Sequence, residues 1–217
     1  MVAIPITKFP PKPEPVAVPA GWMQHASGKG VDLLNPRVED VNWNDIATSL
    51  SLLCRYTGHM QDVDSFYSVA QHSVLVADLL HPSVAIYGLL HDCHEAYFGD
   101  DATPKKRALQ SVFPDAARWL EERKAAWDAV IWQAAGVPTP DAATLRAVHD
   151  ADYMALAIEH KCLQRPAADE TTRAAWAGLP DASAFKIVAI PPHEAHGLFL
   201  SRLNDLLWPT VHREGAA

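Results

Sequence analysis

From Pro36 to Leu207 the apolar residues of this chain recur at intervals of three and four, and that period constrains the fold more than any other feature. Ile46, Leu50 and Leu53 stand at i, i+4 and i+7 behind Asn42 or Asn44 as a cap, and Gly58 is expected to stop that helix. A second helix is expected from about Ser65 to Leu80, ended by His81-Pro82. A third is expected to be capped by Ser83 and to run through Tyr97 to Gly99. Residues 103–112 read as a short helix entered at Pro104. Residues 114–135 read as a long one, with Ala117, Leu120, Ala125 and Val130 as buried candidates. Asp141 or Thr144 opens another that extends to Leu163. A loop with Pro166 and Pro180 follows, then the apolar run 187–190, and a last helix from His193 to Leu207. These elements predict an all-α fold, a single helical bundle over residues 21–217. Trp22 to Pro36 is irregular, two short extended pieces around the turn Ser27-Gly28-Lys29-Gly30.

Residues 1–20 contain six prolines together with Lys8, Lys12 and Glu14, which predicts a flexible extended tail rather than a secretory signal. No run of 18 apolar residues is present to cross a membrane. Cys54, Cys93 and Cys162 are odd in number and lack a C-x-x-C spacing, so neither a disulfide framework nor a thiolate zinc site is expected. A cytoplasmic protein follows from these features. The formal net charge of −8 disfavours a nucleic-acid polymer as partner.

Function is sought where polar residues interrupt apolar faces. His72 shares a helix face with Leu75, Val76 and Leu79, and so points inward. His91, Asp92 and Glu95 crowd one end of a helix that is otherwise apolar from Ala85 to Leu90. Asp152 lies in a stripe with Val148, Ala155 and Leu156, whereas Asp150 falls on another face. Buried carboxylates and imidazoles are costly to desolvate unless neutralised, and a divalent cation neutralises them. Two imidazole nitrogens and two carboxylates suit Zn, Co, Mn or related ions. His59, His81, His193 and His196 read as helix-end residues, His94 as exposed or behind the ligands, and Cys93 as lacking the partners of a nucleophile.

Gln71-His72-Ser73, the run Leu90-His91-Asp92-Cys93-His94-Glu95-Ala96 and Gly99-Asp100-Asp101-Ala102-Thr103-Pro104 together resemble the HD-domain metal-dependent phosphohydrolases. Within them the chain looks most like the branch of 5′-deoxynucleotidases and phage dATP triphosphohydrolases. The likeness covers about residues 30–165. It implies metal ligation by His72, His91, Asp92 and Asp152, with Glu95 and Asp100 beside the attacking water or a further cation. Arg55 stands at the family's phosphate-binding arginine and Tyr56 at an aromatic that packs on the nucleoside. Lys106 stands at the lysine of the GDxxTPxK motif. Gln71 replaces a glutamate usual in the bacterial nucleotidases, and Tyr56 a tryptophan of several relatives.

The resemblance implies a metal-dependent phosphohydrolase that releases phosphate or triphosphate from deoxynucleotides. It uses a divalent ion (Zn, Co, Mn or Mg) and assembles as a homo-oligomer, in a host cytoplasm if phage-encoded. Hydrolysis of another phosphorylated metabolite, such as a guanosine polyphosphate, is the alternative within that class. A nucleotide- or metal-sensing domain without turnover is the alternative outside it.

Overall fold

The computed structural model describes residues 17–62 and 64–208, and most of the proline-rich tail expected over 1–20 lies outside them. The described chain is mostly helical behind a small hairpin. Strands β1 (Trp22–Gln24) and β2 (Gly30–Asp32) pair antiparallel, with Met23 opposite Val31. Gly28 takes the left-handed conformation that the tight turn needs, at φ 84°. Asp45 of the first helix pins the hairpin by accepting hydrogen bonds from the Ser27 amide and hydroxyl, both at 2.7 Å.

Helix α1 (Trp43–Leu52) starts at Asn42, whose side chain accepts from the amides of Asn44 and Asp45. It ends at Leu52 and not at Gly58. Leu53 turns extended because Cys54 bridges Ser68, and the Arg55 amide donates to the Tyr67 carbonyl. A 3-10 turn follows over Arg55–Gly58. Helix α2 (Val69–Asp78) begins four residues later than its expected start, because the Ser68 hydroxyl caps it and Ser65 is held by Asp62 instead.

The expected third helix is two. Helix α3 (Ala85–Leu90) starts without the Ser83 cap, since that hydroxyl is engaged by the His81 ring. The amides of Cys93, Glu95, Ala96 and Tyr97 bond the carbonyls three residues back, and this tightened turn separates α3 from α4 (Glu95–Phe98). Helices α5 (Thr103–Val112) and α6 (Pro114–Ala134) follow as a pair. On α6 the buried residues are Ala117, Lys124, Trp127 and Ile131, while Ala125 is exposed and Val130 half-buried, contrary to the expected face. The register is set by Trp127, whose ring stacks on Tyr97 at 3.6 Å. Helix α7 (Ala142–Leu163) is capped by Asp141. A short helix α8 (Glu170–Trp176), capped by Asp169, lies where only a loop was expected. Helix α9 (Pro192–Leu207) presents Ala195, Phe199 and Leu203 to α1, α2 and α3.

The main core is built from Ile46 and Leu50 of α1, Val69 and Val74 of α2, Leu89 and Leu90 of α3, Trp127 of α6 and Phe199 of α9. Two features of this packing position the candidate site. Gly88 lets α3 approach α2 so closely that a Cβ there would lie 3.1 Å from the Ala77 backbone. Helix α7 packs along the other side of α2, where Val76 meets Ala151 and Ala155. No described helix is long and apolar enough to cross a membrane.

Candidate metal centre

His72 projects from the middle of α2 into the seam between α3 and α7, and none of it is exposed. Its Nε2 lies 3.3 Å from His91 Nε2, 3.2 Å from Asp152 Oδ1 and 3.6 Å from Asp92 Oδ2. Asp92 Oδ2 is in turn 3.1 Å from His91 Nε2. Adjacent residues on a continuous helix point about 100° apart. His91 and Asp92 flank His72 Nε2 from the C-terminal end of α3, each reaching it from its own side. Each imidazole is tied off at its other nitrogen, His72 Nδ1 to Glu159 Oε1 at 2.6 Å and His91 Nδ1 to the Gly88 carbonyl at 2.7 Å. That pattern aims both Nε2 atoms at one point, as metal-bound histidines are aimed.

Among the described residues two groups of side chains offer atoms within 4.8 Å of one another and could hold an ion: His72, His91 and Asp152, and beside them Asp92, His94 and Glu95. Two nitrogens, each about 2.0–2.1 Å from one tetrahedral ion, stand about 3.3 Å apart, which the imidazole pair matches. The electrostatics also fit a cation. Burial and the Arg55 charge oppose protonation of His72, yet Glu159 and Asp152 outweigh them and raise its pKa to about 9. The acids around His72 thus demand positive charge, and an ion would supply it in place of a proton.

The flanking residues are held with equal specificity. Arg55 reaches Asp92 Oδ2 at 3.6 Å and Glu159 Oε2 at 3.5 Å, and those acids keep it charged against burial. The Tyr56 hydroxyl donates to Glu159 Oε2 at 2.6 Å, so its polar end faces the cluster. Glu95 is buried, and its Oε2 has no hydrogen-bond partner. Burial, with Asp92 and Asp100 nearby, pushes its pKa up to about 9. Asp100 is half-buried; burial and Asp92 raise its pKa, while Arg55 and Lys106 oppose. Lys106 is exposed on α5 and stands apart from the bonded cluster. It lines a groove of about 540 Å³ between α5 and α6 together with Phe98 and Asp101.

Two participants, Glu159 and Lys124, were missed as site residues by sequence reasoning. Glu159 is fully buried and bonded to His72 and Tyr56, and it was legible, since it stands two turns beyond Asp152 on one face of α7. Of the two places expected for His94, exposed or behind the ligands, the structure gives the second: it is half-buried beside Asp92 and Glu95, with its Nδ1 2.9 Å from Asp128 of α6. Lys124 of α6 reaches Asp101 Oδ2 at 3.1 Å and steadies the turn that carries Asp100. Gln71 finds a different use, donating to the Val188 carbonyl and accepting from the Ile190 amide. It thereby fastens the 187–190 segment to α2, and a glutamate could not do the donating half.

Fold and site together define a mostly helical protein with a His/Asp/Glu centre able to hold a metal ion. No family model matches the sequence. The chain is 39% identical over 168 residues to the uncharacterized protein YfdR of Escherichia coli, covering 77% of this chain and 85% of that protein. It is 31% identical over 197 residues to the uncharacterized protein RCAP_rcc00048 of Rhodobacter capsulatus, covering 86% and 95%. The chain belongs to the family of these two proteins.

Proposed function

We infer that this protein is an HD-type, metal-dependent phosphohydrolase that cleaves the 5′-phosphate or triphosphate from deoxynucleotides. The observation that carries the reading is the pair of imidazole Nε2 atoms 3.3 Å apart, each with its Nδ1 engaged, facing Asp92 and Asp152. His72, His91, Asp92 and Asp152 would hold the ion. When bound, a divalent ion supplies charge that polarises a phosphoryl group and acidifies water. Arg55, already poised beside Asp92, offers a planar fork to phosphate oxygens. Glu95 and Asp100 are the groups able to hold or pass a proton, because burial keeps both carboxyls above their usual range. Lys106 is close enough for its charge to oppose those rises, and it would meet the outer phosphates. In this reading the protein works in the cytoplasm on a small nucleotide, as a homo-oligomer.

The test is a panel of deoxy- and ribonucleoside mono-, di- and triphosphates with Mn, Co, Zn or Mg, with separation of phosphate, pyrophosphate and triphosphate. Deoxynucleotides are expected to react fastest, and only with a metal present. Full turnover in a metal-stripped preparation with excess chelator would overturn the mechanism, and release of phosphate only from non-nucleotide esters would overturn the substrate.

A further inference from the structure

We propose that Glu159 is a positioning residue that couples the metal centre to the phosphate-binding turn; the inference rests on the metal-site reading above. One carboxylate serves both. Its Oε1 takes His72 Nδ1 at 2.6 Å, and its Oε2 takes the Tyr56 hydroxyl at 2.6 Å and faces Arg55 Nη2 at 3.5 Å. The carboxylate is fully buried, so no water competes for these partners. On the His72 side it fixes the ring tautomer and turns Nε2 toward His91 and Asp152.

On the other side it holds a strained backbone. Tyr56 and Thr57 are consecutive non-glycine residues with φ of 57° and 54°, and among the described residues they are the only non-glycines with positive φ. A left-handed non-glycine residue persists only when its surroundings over-determine it. Here the anchors are the Arg55 amide on the Tyr67 carbonyl, the Cys54–Ser68 bridge and the Tyr56 hydroxyl on Glu159. The first two fix the entry to the turn. The third is a side-chain anchor inside it, beside the Arg55 contacts to Glu159 and Asp92, and it ends on the carboxylate that orients His72. A metal-loaded His72 and a correctly placed Arg55 are therefore two outcomes of one carboxylate's position.

The experiment uses the full chain and two variants, Glu159→Gln and Tyr56→Phe. Calorimetry measures Mn²⁺ binding first, and then inorganic phosphate binding to the Mn²⁺-loaded protein. Glu159→Gln is expected to weaken Mn²⁺ about 10- to 100-fold and to alter the visible spectrum of the Co²⁺-loaded protein, which loss of bulk stability alone would not change. Tyr56→Phe is expected to keep Mn²⁺ affinity within about twofold and to weaken phosphate several-fold. The double variant should bind phosphate no worse than Glu159→Gln alone, since both changes cut one connection. Unchanged phosphate affinity in Tyr56→Phe, or fully additive losses in the double variant, would overturn the coupling, and Tyr56→Phe decides the matter even if Glu159→Gln fails to fold. A wild-type protein that binds neither Mn²⁺, Co²⁺ nor Zn²⁺ would overturn the metal-site reading itself, a result distinct from any of these.

Discussion

Replacing Gly88 with valine tests whether close contact between α2 and α3 sets the spacing of the two histidines. A Cβ on residue 88 would meet Leu80 Cδ1 at 2.5 Å and the Ala77 Cα and N at 3.1 Å. The Leu80 methyl can swing aside, but the Ala77 backbone is fixed inside α2. Alanine therefore forces a shift of a few tenths of an ångström, and its higher helix propensity, about 1 kcal/mol, offsets most of the strain. Valine adds two more carbons against the same backbone, and overpacking of that kind costs about 2–3 kcal/mol. For a chain of this size such a loss lowers Tm by about 5–10 °C. Relief comes by moving α3 away from α2, which carries His91 away from His72 and should weaken Mn²⁺ binding by about tenfold. Thermal denaturation followed by circular dichroism reads the first effect, and calorimetric titration reads the second. A valine variant that melts and binds Mn²⁺ like the wild type would refute the argument.

Other outcomes follow from the same geometry. Asp92→Ala should abolish turnover and most metal binding, because Asp92 faces both imidazoles and Arg55; retained stoichiometric binding of Mn²⁺ would contradict its place as a ligand. Lys124→Met removes the buried partner of Asp101 while Lys105 stays, and should cost about 2 kcal/mol at neutral pH by chemical denaturation. Lys105 and Lys124 hold the Asp101 pKa below its usual value in the folded state, so this contribution is complete above the unfolded pKa near 3.8 and disappears as pH falls through the folded one. The gap between wild type and variant should thus be flat from pH 5 to 8 and close in acid; a gap that widens in acid would rule out the pairing. Gln71→Glu should lose only about 0.5–1 kcal/mol, because water can replace the donor at the exposed Val188 carbonyl, and hydrogen exchange at the Ile190 amide would show whether the 187–190 segment loosens.

Much of the helical order was legible because single faces carry it. Val148, Asp152 and Ala155 share a stripe, and His72 sits among Leu75, Val76 and Leu79, so periodicity alone turned both polar groups inward. The break after Leu90 was not legible. No proline or glycine marks it between Leu90 and Phe98, and α4 is held by a contact distant in sequence, the stack of Tyr97 on Trp127. The early end of α1 has the same cause, since Cys54 leaves the helix to pair with Ser68. On α6 the buried face runs through Ala117, Lys124, Trp127 and Ile131 and misses Ala125 and Val130; Lys124 is 3% exposed because Asp101 meets it. The gathering of His72, His91, Asp92 and Asp152 is a tertiary fact that no spacing contains. Glu159 was different, since its interval from Asp152 already placed the two acids on one side of α7.

The two ends of the His72 cluster differ in their access to solvent. His72 and Glu159 have side chains with 0% exposure, whereas the Asp152 side chain is 40% exposed. The centre therefore has a sealed back and an open mouth. Exchange of an ion need not wait for any helix to separate, because the carboxylate at the mouth can release one bond to water while the imidazoles behind it stay put. A chelator should then strip the ion at a rate set by ligand exchange, with the fold intact throughout. The emptied centre should accept a different divalent ion without refolding.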